Sequence, residues 1–179
     1  MAVQSEIAPI RQVLIHTPGQ EHNYTLPKNT TEWVADESGR LIQNPDYLLF
    51  DDIISPGGMA AEHNELEDVL TAFTGQDHTY QFRDLLVETL QTPGQQQELY
   101  NACCTLDRKL YGTENSVDTQ HILDLEVADF ATVLLSGRID KPTLETVFKW
   151  PLPNLIFTRD IAVALNNTLV LTWGRWPAR

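Results

Sequence analysis

An α/β fold interrupted by an inserted helical bundle is predicted for this chain of 179 residues, and three observations predict it. A strand pattern, an amphipathic helical pattern and a second strand pattern follow one another in the first half. Several short helical patterns separated by glycine occupy the middle. After residue 150 an alternation of period two returns, and the strands available to pair with it lie near the N-terminus. The α/β part is therefore discontinuous, residues 1–92 and 149–179, with the bundle at residues 93–148.

Taken in order, Val13, Leu14, Ile15 and His16 read as a buried strand. Thr17-Pro18-Gly19 ends it, because proline removes a ladder donor and glycine permits a turn. Residues 20–46 have scattered apolar side chains without a sustained period and read as loop. Leu66, Val69, Leu70 and Phe73 recur at i, i+3, i+4 and i+7, which sets them on one face of a helix over residues 59–73. Pro56-Gly57-Gly58 before it and Gly75 after it are boundary signals. Residues 78–82 read as a short strand and residues 85–90 as a short helix.

In the bundle, Leu99, Cys103, Leu106 and Leu110 mark one helix, and Val127, Phe130, Ala131 and Leu134 a second. Leu144, Val147 and Phe148 mark a third, opened by Pro142 near its first turn. Beyond it Ile161, Val163 and Leu165 alternate with smaller residues, Asn166-Asn167 accept the backbone of a tight turn, and Leu169-Val170-Leu171 return as a hairpin partner. Asp160 then stands at a strand entrance, where a sheet can aim it, and its carboxyl is expected to face inward.

Composition narrows the function. A formal net charge of −13 and a pI near 4.6, with no basic cluster, argue against a nucleic-acid partner, which requires a Lys/Arg surface. No apolar stretch is long enough to span a bilayer, and residues 1–6 lack the basic and apolar regions of a signal peptide, so a cytoplasmic location without membrane association is expected. The two cysteines, Cys103 and Cys104, are adjacent, which fits a reducing compartment. Cys103 falls on an apolar helix face and reads as packing rather than as a nucleophile. His16, His22, His78 and His121 show no spacing suited to a metal, His63 reads as a hydrogen-bonded boundary histidine, and no metal site is expected. Asp51 and Asp52, adjacent on a strand, would point to opposite faces and read as structural.

The run Pro151-Leu152-Pro153-Asn154-Leu155-Ile156-Phe157-Thr158-Arg159-Asp160 and the ending Trp176-Pro177-Ala178-Arg179 carry the most specific chemistry. A guanidinium is a planar cation with five donors, and an acceptor-only carboxylate such as Asp160 can take two of them in parallel. Its flat face is satisfied by an aromatic ring, for which Phe157 is the candidate. Asn154 and Arg179 suit the α-carboxylate of an amino acid, Arg through its planar fork.

On these residues the chain resembles the N-terminal part of the arginine deiminases, in the guanidine-modifying (pentein) superfamily. The same resemblance is carried by Ser5-Glu6-Ile7 with residues 13–19, and by Leu49-Phe50-Asp51-Asp52-Ile53 with Ala61-Glu62-His63-Asn64. It implies a partial α/β propeller module with a helical insertion. It also implies that Asn154, Phe157, Asp160 and Arg179 line an L-arginine pocket. In the family's chemistry a cysteine thiolate attacks the guanidino carbon while carboxylates hold the cation. A histidine protonates the departing ammonia and then activates water, giving citrulline without a cofactor. Asp160 is the carboxylate implied here as catalytic. The glutamate, the active-site histidine and the cysteine nucleophile come from the part of family members that has no counterpart in this chain. The chain alone is expected to be inactive, and either to self-associate as a homo-oligomer or to be completed by the C-terminal part. Residues 31–40 form an insert relative to the family and have no functional reading.

Taken without the resemblance, each residue has a plainer explanation. Asp160 reads as a solvated or strand-capping carboxylate beside Arg159, Phe157 as a core aromatic, Asn154 as the cap of a turn after Pro153, and Arg179 as a loose terminus. Two other functions stay open: a non-catalytic binding module derived from this fold, and another guanidine enzyme such as an amidinotransferase or an agmatine or dimethylarginine hydrolase.

Overall fold

The computed structural model describes residues 7–48, 53–112, 117–140 and 142–172, and its architecture is mixed α/β. Strand β1 (Val13–Ile15) leads through a 3-10 helix, Gln20–Tyr24, and a second one, Pro27–Thr30. Next come β2 (Trp33–Ala35), β3 (Leu41–Gln43), helix α1 (Pro56–Thr74), β4 (Thr79–Gln81) and α2 (Phe82–Leu90). β1 and β4 pair in parallel, Leu14 opposite Tyr80, so the predicted strand, helix, strand order is a βαβ unit with α1 as its crossover.

The face of α1 that turns inward differs from the expected one. Leu66, Val69 and Phe73 are exposed, Phe73 by 78%. The buried or half-buried side runs through His63, Glu67, Leu70, Thr71 and Thr74. The reason is the polarity of what α1 packs on. Thr17, Thr79 and Gln81 present hydroxyls and an amide that bond His63, Thr71, Thr74 and Glu67, and an apolar stripe would leave those groups unpaired. His63 is thus a hydrogen-bonded boundary histidine, as expected.

Residues 20–46 are not irregular loop. Besides the two 3-10 helices they hold the antiparallel pair β2 and β3, Val34 opposite Ile42, into which the insert at residues 31–40 folds. Its turn is built by side chains. Asp36 Oδ1 accepts from the Ser38 amide and hydroxyl and from the Arg40 amide, and Asn44 Nδ2 donates to the Lys28 and Thr31 carbonyls at 2.7 Å each. Such local side-chain bonds replace the apolar alternation by which strands are usually recognised.

Helices α3 (Gln95–Tyr111), α4 (Thr119–Leu123) and α5 (Val127–Ser136) follow. The Asp118 side chain caps α4 by accepting from the Gln120 amide. The main core lies here: Phe130, Ala131 and Ile122 are fully buried among Leu90, Tyr100, Val133, Leu134, Ile139, Val147 and Phe148. Cys103 and Cys104 pack against it. The third helix expected around Leu144, Val147 and Phe148 is absent. Instead β6 (Glu145–Thr146) pairs antiparallel with β5 (Arg138–Ile139). Eight residues after a proline cannot sustain a helical nucleus unaided, and the Gly137 carbonyl takes both the Val147 and Phe148 amides, at 2.9 and 3.1 Å. The Arg138 guanidinium adds bonds to the carbonyls of Gly137, Phe148 and Lys149.

Gly137 closes α5 with a φ of +69°. A Cβ there would lie 3.0 Å from the Phe148 carbonyl oxygen and 3.2 Å from that of Trp150. The left-handed backbone alone costs a side-chain-bearing residue about 1–2 kcal/mol. Gly137→Ala is expected to lower stability by at least that amount, and thermal melting would show a fall in Tm of several degrees. An unchanged Tm would contradict the packing described.

The last elements are a 3-10 helix Pro153–Ile156, the single helical turn α6 (Thr158–Ile161), and the hairpin β7 (Ala162–Leu165) and β8 (Thr168–Leu171). Asn166 has the expected positive φ, 52°. The hairpin pairs only with itself among the described residues, not with the N-terminal strands, and every residue of β8 is exposed. The described strands form four two-stranded sheets and no closed one.

Candidate functional site

The residues from Pro151 to Asp160 are fixed from four directions. Pro151 and Pro153 are buried, and Pro153 supplies a pre-set φ at the start of its 3-10 helix. The Leu152 amide donates to the Leu135 carbonyl at the end of α5, 2.8 Å. Asn154 Nδ2 donates to the Leu48 carbonyl, 2.7 Å, a bond between positions 106 apart in sequence. Thr158 Oγ1 donates to the Leu14 carbonyl of β1, 3.0 Å. From the far side the Thr172 hydroxyl donates to the Asp160 carbonyl, and the Thr172 amide to that of Ile161 at 3.1 Å. Just upstream, Lys149 Nζ lies 3.6 Å from Asp46 and 4.8 Å from the Tyr111 ring centroid, which ties the approach to this run to α3.

This framework places three of the four sequence-derived residues on one short segment. Asp160 lies within α6, which runs directly into β7, and its amide donates to the Phe157 carbonyl, 2.9 Å. Phe157 is no core aromatic; it is 46% exposed at the junction preceding α6. One N–H of the Asn154 side-chain amide is committed to Leu48 rather than to a local turn, which leaves its second N–H and its oxygen for other partners. Asp160 is exposed, and the expected inward-facing carboxyl is not met among the described residues. Arg179, residues 5 and 6 and residues 49–52 of the motif blocks lie outside the described residues.

A second cluster was not singled out by the sequence. Glu21 and His22, on the first 3-10 helix, and His16 at the end of β1 are buried together. Glu21 Oε1 accepts from the Gly19 amide at 2.6 Å and bonds His16 Nε2 at 3.1 Å. Burial raises the Glu21 carboxyl, but the bonds from His16 and from the Gly19 and Glu21 amides outweigh it and hold the group below its ordinary value. Burial lowers the imidazoles of His22 and His63. The available signal was the spacing of Gly19 two residues before Glu21: a Cβ at Gly19 would stand 3.0 Å from the carboxylate.

Cys103 is not set up as a nucleophile. Burial, with Cys104 and Asp107 adding to it, pushes the Cys103 thiol up to about 11, the opposite of what thiolate chemistry needs. Both thiols are free. Among the described residues no three His, Cys, Asp or Glu side chains are grouped to hold a metal ion, and no helix is long and apolar enough to cross a membrane.

The family model described as arginine deiminase matches residues 46–179, three-quarters of the chain and all of the run just described. The chain belongs to the arginine deiminase family. It is 27% identical to the arginine deiminase of Rhodococcus jostii over 194 aligned positions, covering 100% of this chain and 44% of that protein. It is 26% identical to that of Rhodococcus opacus, with the same coverage. The arginine deiminase of Mycolicibacterium gilvum is 24% identical over 96% of the chain and 42% of that protein. The chain thus spans less than half the length of these arginine deiminases.

Proposed function

We propose that this chain is the N-terminal part of an arginine deiminase, a hydrolase that converts L-arginine and water into L-citrulline and ammonia. Asp160 would hold the substrate guanidinium, Phe157 would cover its flat face, and Asn154 and Arg179 would serve the amino-acid end. The family match across residues 46–179 carries the reading. Three further observations support it. The site run is anchored to β1, Leu48 and α5. The Cys103 thiol is pushed up to about 11, in keeping with a nucleophile supplied from elsewhere. Apolar faces stay uncovered on α1, at Leu66, Val69 and Phe73, and on the hairpin, at Leu165, Leu169 and Leu171; a longer protein would bury surfaces of this kind.

In this reading the α/β part, residues 1–92 and 149–179, is a piece of a propeller, and residues 93–148 are its helical insertion. The protein is cytoplasmic, and the cation-holding site is finished by further sequence. Asp160 and Phe157 are exposed because the walls opposite them belong to that further sequence. The coding frame beyond codon 179 tests this: it should continue into sequence holding a histidine and a cysteine nucleophile. A stop codon directly after Arg179 would contradict the proposal and favour a non-catalytic module.

A further inference from the structure

The 3-10 helix Gln20–Tyr24 touches α5 on one side and α1 on the other, so it joins the helical segment to the βαβ unit. We propose that His22, at its centre, is a proton-sensitive latch: the neutral ring keeps this helix seated between α1 and α5, and mild acidification lets it open.

The argument rests on how the ring is housed. His22 is only 5% exposed, and both ring nitrogens are buried without a hydrogen-bond partner among the described residues. Glu21 Oε1 stands 3.9 Å from Nε2, beyond bonding distance, and already serves His16 and the Gly19 amide. A second proton on His22 would therefore be a buried charge with no acceptor in reach, which is expensive. The Glu21 carboxylate offsets this only in part, because burial outweighs its attraction. The residue following β1 is His16, and α1 contributes His63, bonded to Thr17, and Glu67, bonded to Gln81 of β4. From α2 the Phe82 ring stands edge-on to His16 at 5.9 Å between centroids. Asp129 of α5, with Arg138 and Asp140 from its exit, lines a cavity beside Gln20, and Arg138 is occupied by three carbonyls and by the Tyr24 ring, 5.7 Å away.

The sign follows from comparing closed and open states. Above the ordinary histidine value of 6.5 the ring is neutral in both, and opening does not depend on pH. Below it the opened, hydrated ring takes up a proton and the seated ring does not, so opening grows easier by up to about tenfold per pH unit. Glu21, held below its ordinary 4.5, loses its contribution only at still lower pH. His63 acts in the same direction as His22.

Amide hydrogen exchange over residues 20–25, corrected for intrinsic rates, reads this directly. Between about pH 7.5 and about pH 5.5, opening in the wild-type chain should increase about tenfold, and in His22→Phe, which keeps a buried ring without a proton site, by about twofold or less. An equal slope in both proteins would overturn the proposal and point to His63 instead; a flat wild-type profile would also overturn it. Should the variant misfold, imidazole NMR of the wild type decides. His22 is expected to titrate below its ordinary 6.5, and titration at or above 6.5 would overturn the latch.

Discussion

Asp160→Asn should cut arginine turnover by a deiminase-length protein that includes this chain by about a hundred- to several-thousandfold in kcat/KM, the equivalent of removing one partner of an enclosed charge pair, about 3–5 kcal/mol. The amide keeps the size of the carboxyl but offers one acceptor where a guanidinium needs two, and it brings a donor where the substrate already supplies only donors. Both kcat and substrate binding should suffer, because the guanidino carbon is presented correctly only while its cation is held. Fold stability should hardly change. Asp160 is exposed, and the bonds that fix α6 use its backbone: its amide to Phe157 and its carbonyl to the Thr172 hydroxyl. Steady-state kinetics beside a melting curve separates the two effects. Full activity in the variant would remove Asp160 from the site.

Phe130→Ala should destabilise the chain by about 3–5 kcal/mol, the cost of emptying a fully buried aromatic position. Its relative exposure is 0%, and it sits in the core with Ile122, Ala131, Val147 and Phe148. Against a net stability of about 5–15 kcal/mol, that loss leaves the fold marginal or unfolded. Urea unfolding measures it. Phe73→Ala is the internal control: that ring is 78% exposed on α1, and its removal should stay within about 0.5 kcal/mol. Equal losses would mean that α1 is covered in the isolated chain.

The contrast between these two phenylalanines shows how much of the fold was legible. Helical spacing identified both helices correctly, since periodicity reports that a helix has an apolar stripe. It does not report what the stripe meets. At α5 the stripe meets core; at α1 the inner surface belongs to His63, Glu67 and Thr74, whose hydroxyl and amide partners just after β1 and on β4 are set by tertiary position. The turn at Asn166 was readable because a positive φ selects few residue types. The pair β2 and β3 was not, because Asp36 and Asn44 hold it through side-chain bonds rather than through alternation. The third bundle helix failed for a related reason: three apolar residues at helical spacing equally serve a short strand when a glycine carbonyl is waiting for two amides.

The site was legible in part. The family match covers the run from Asn154 to Asp160, whose residue types suit the guanidinium site proposed above. What the motif could not give was each side chain's duty inside this chain. Asn154 gives an amide N–H to Leu48, Phe157 and Asp160 stay exposed, and Thr158, a motif residue with no assigned role, and Thr172, outside the motif, do the anchoring. The buried cluster of His16, Glu21 and His22 was hidden for the same reason: histidines at unremarkable spacing become a group only when a strand end and a 3-10 helix are folded together.

The measurement that bears most directly on the central claim, a guanidinium site whose reactive thiol lies elsewhere, is citrulline release from L-arginine by the purified 179-residue chain. The expected result is no citrulline above the spontaneous background, with Cys103 and Cys104 both reduced. Sustained citrulline formation by this chain alone would contradict the account.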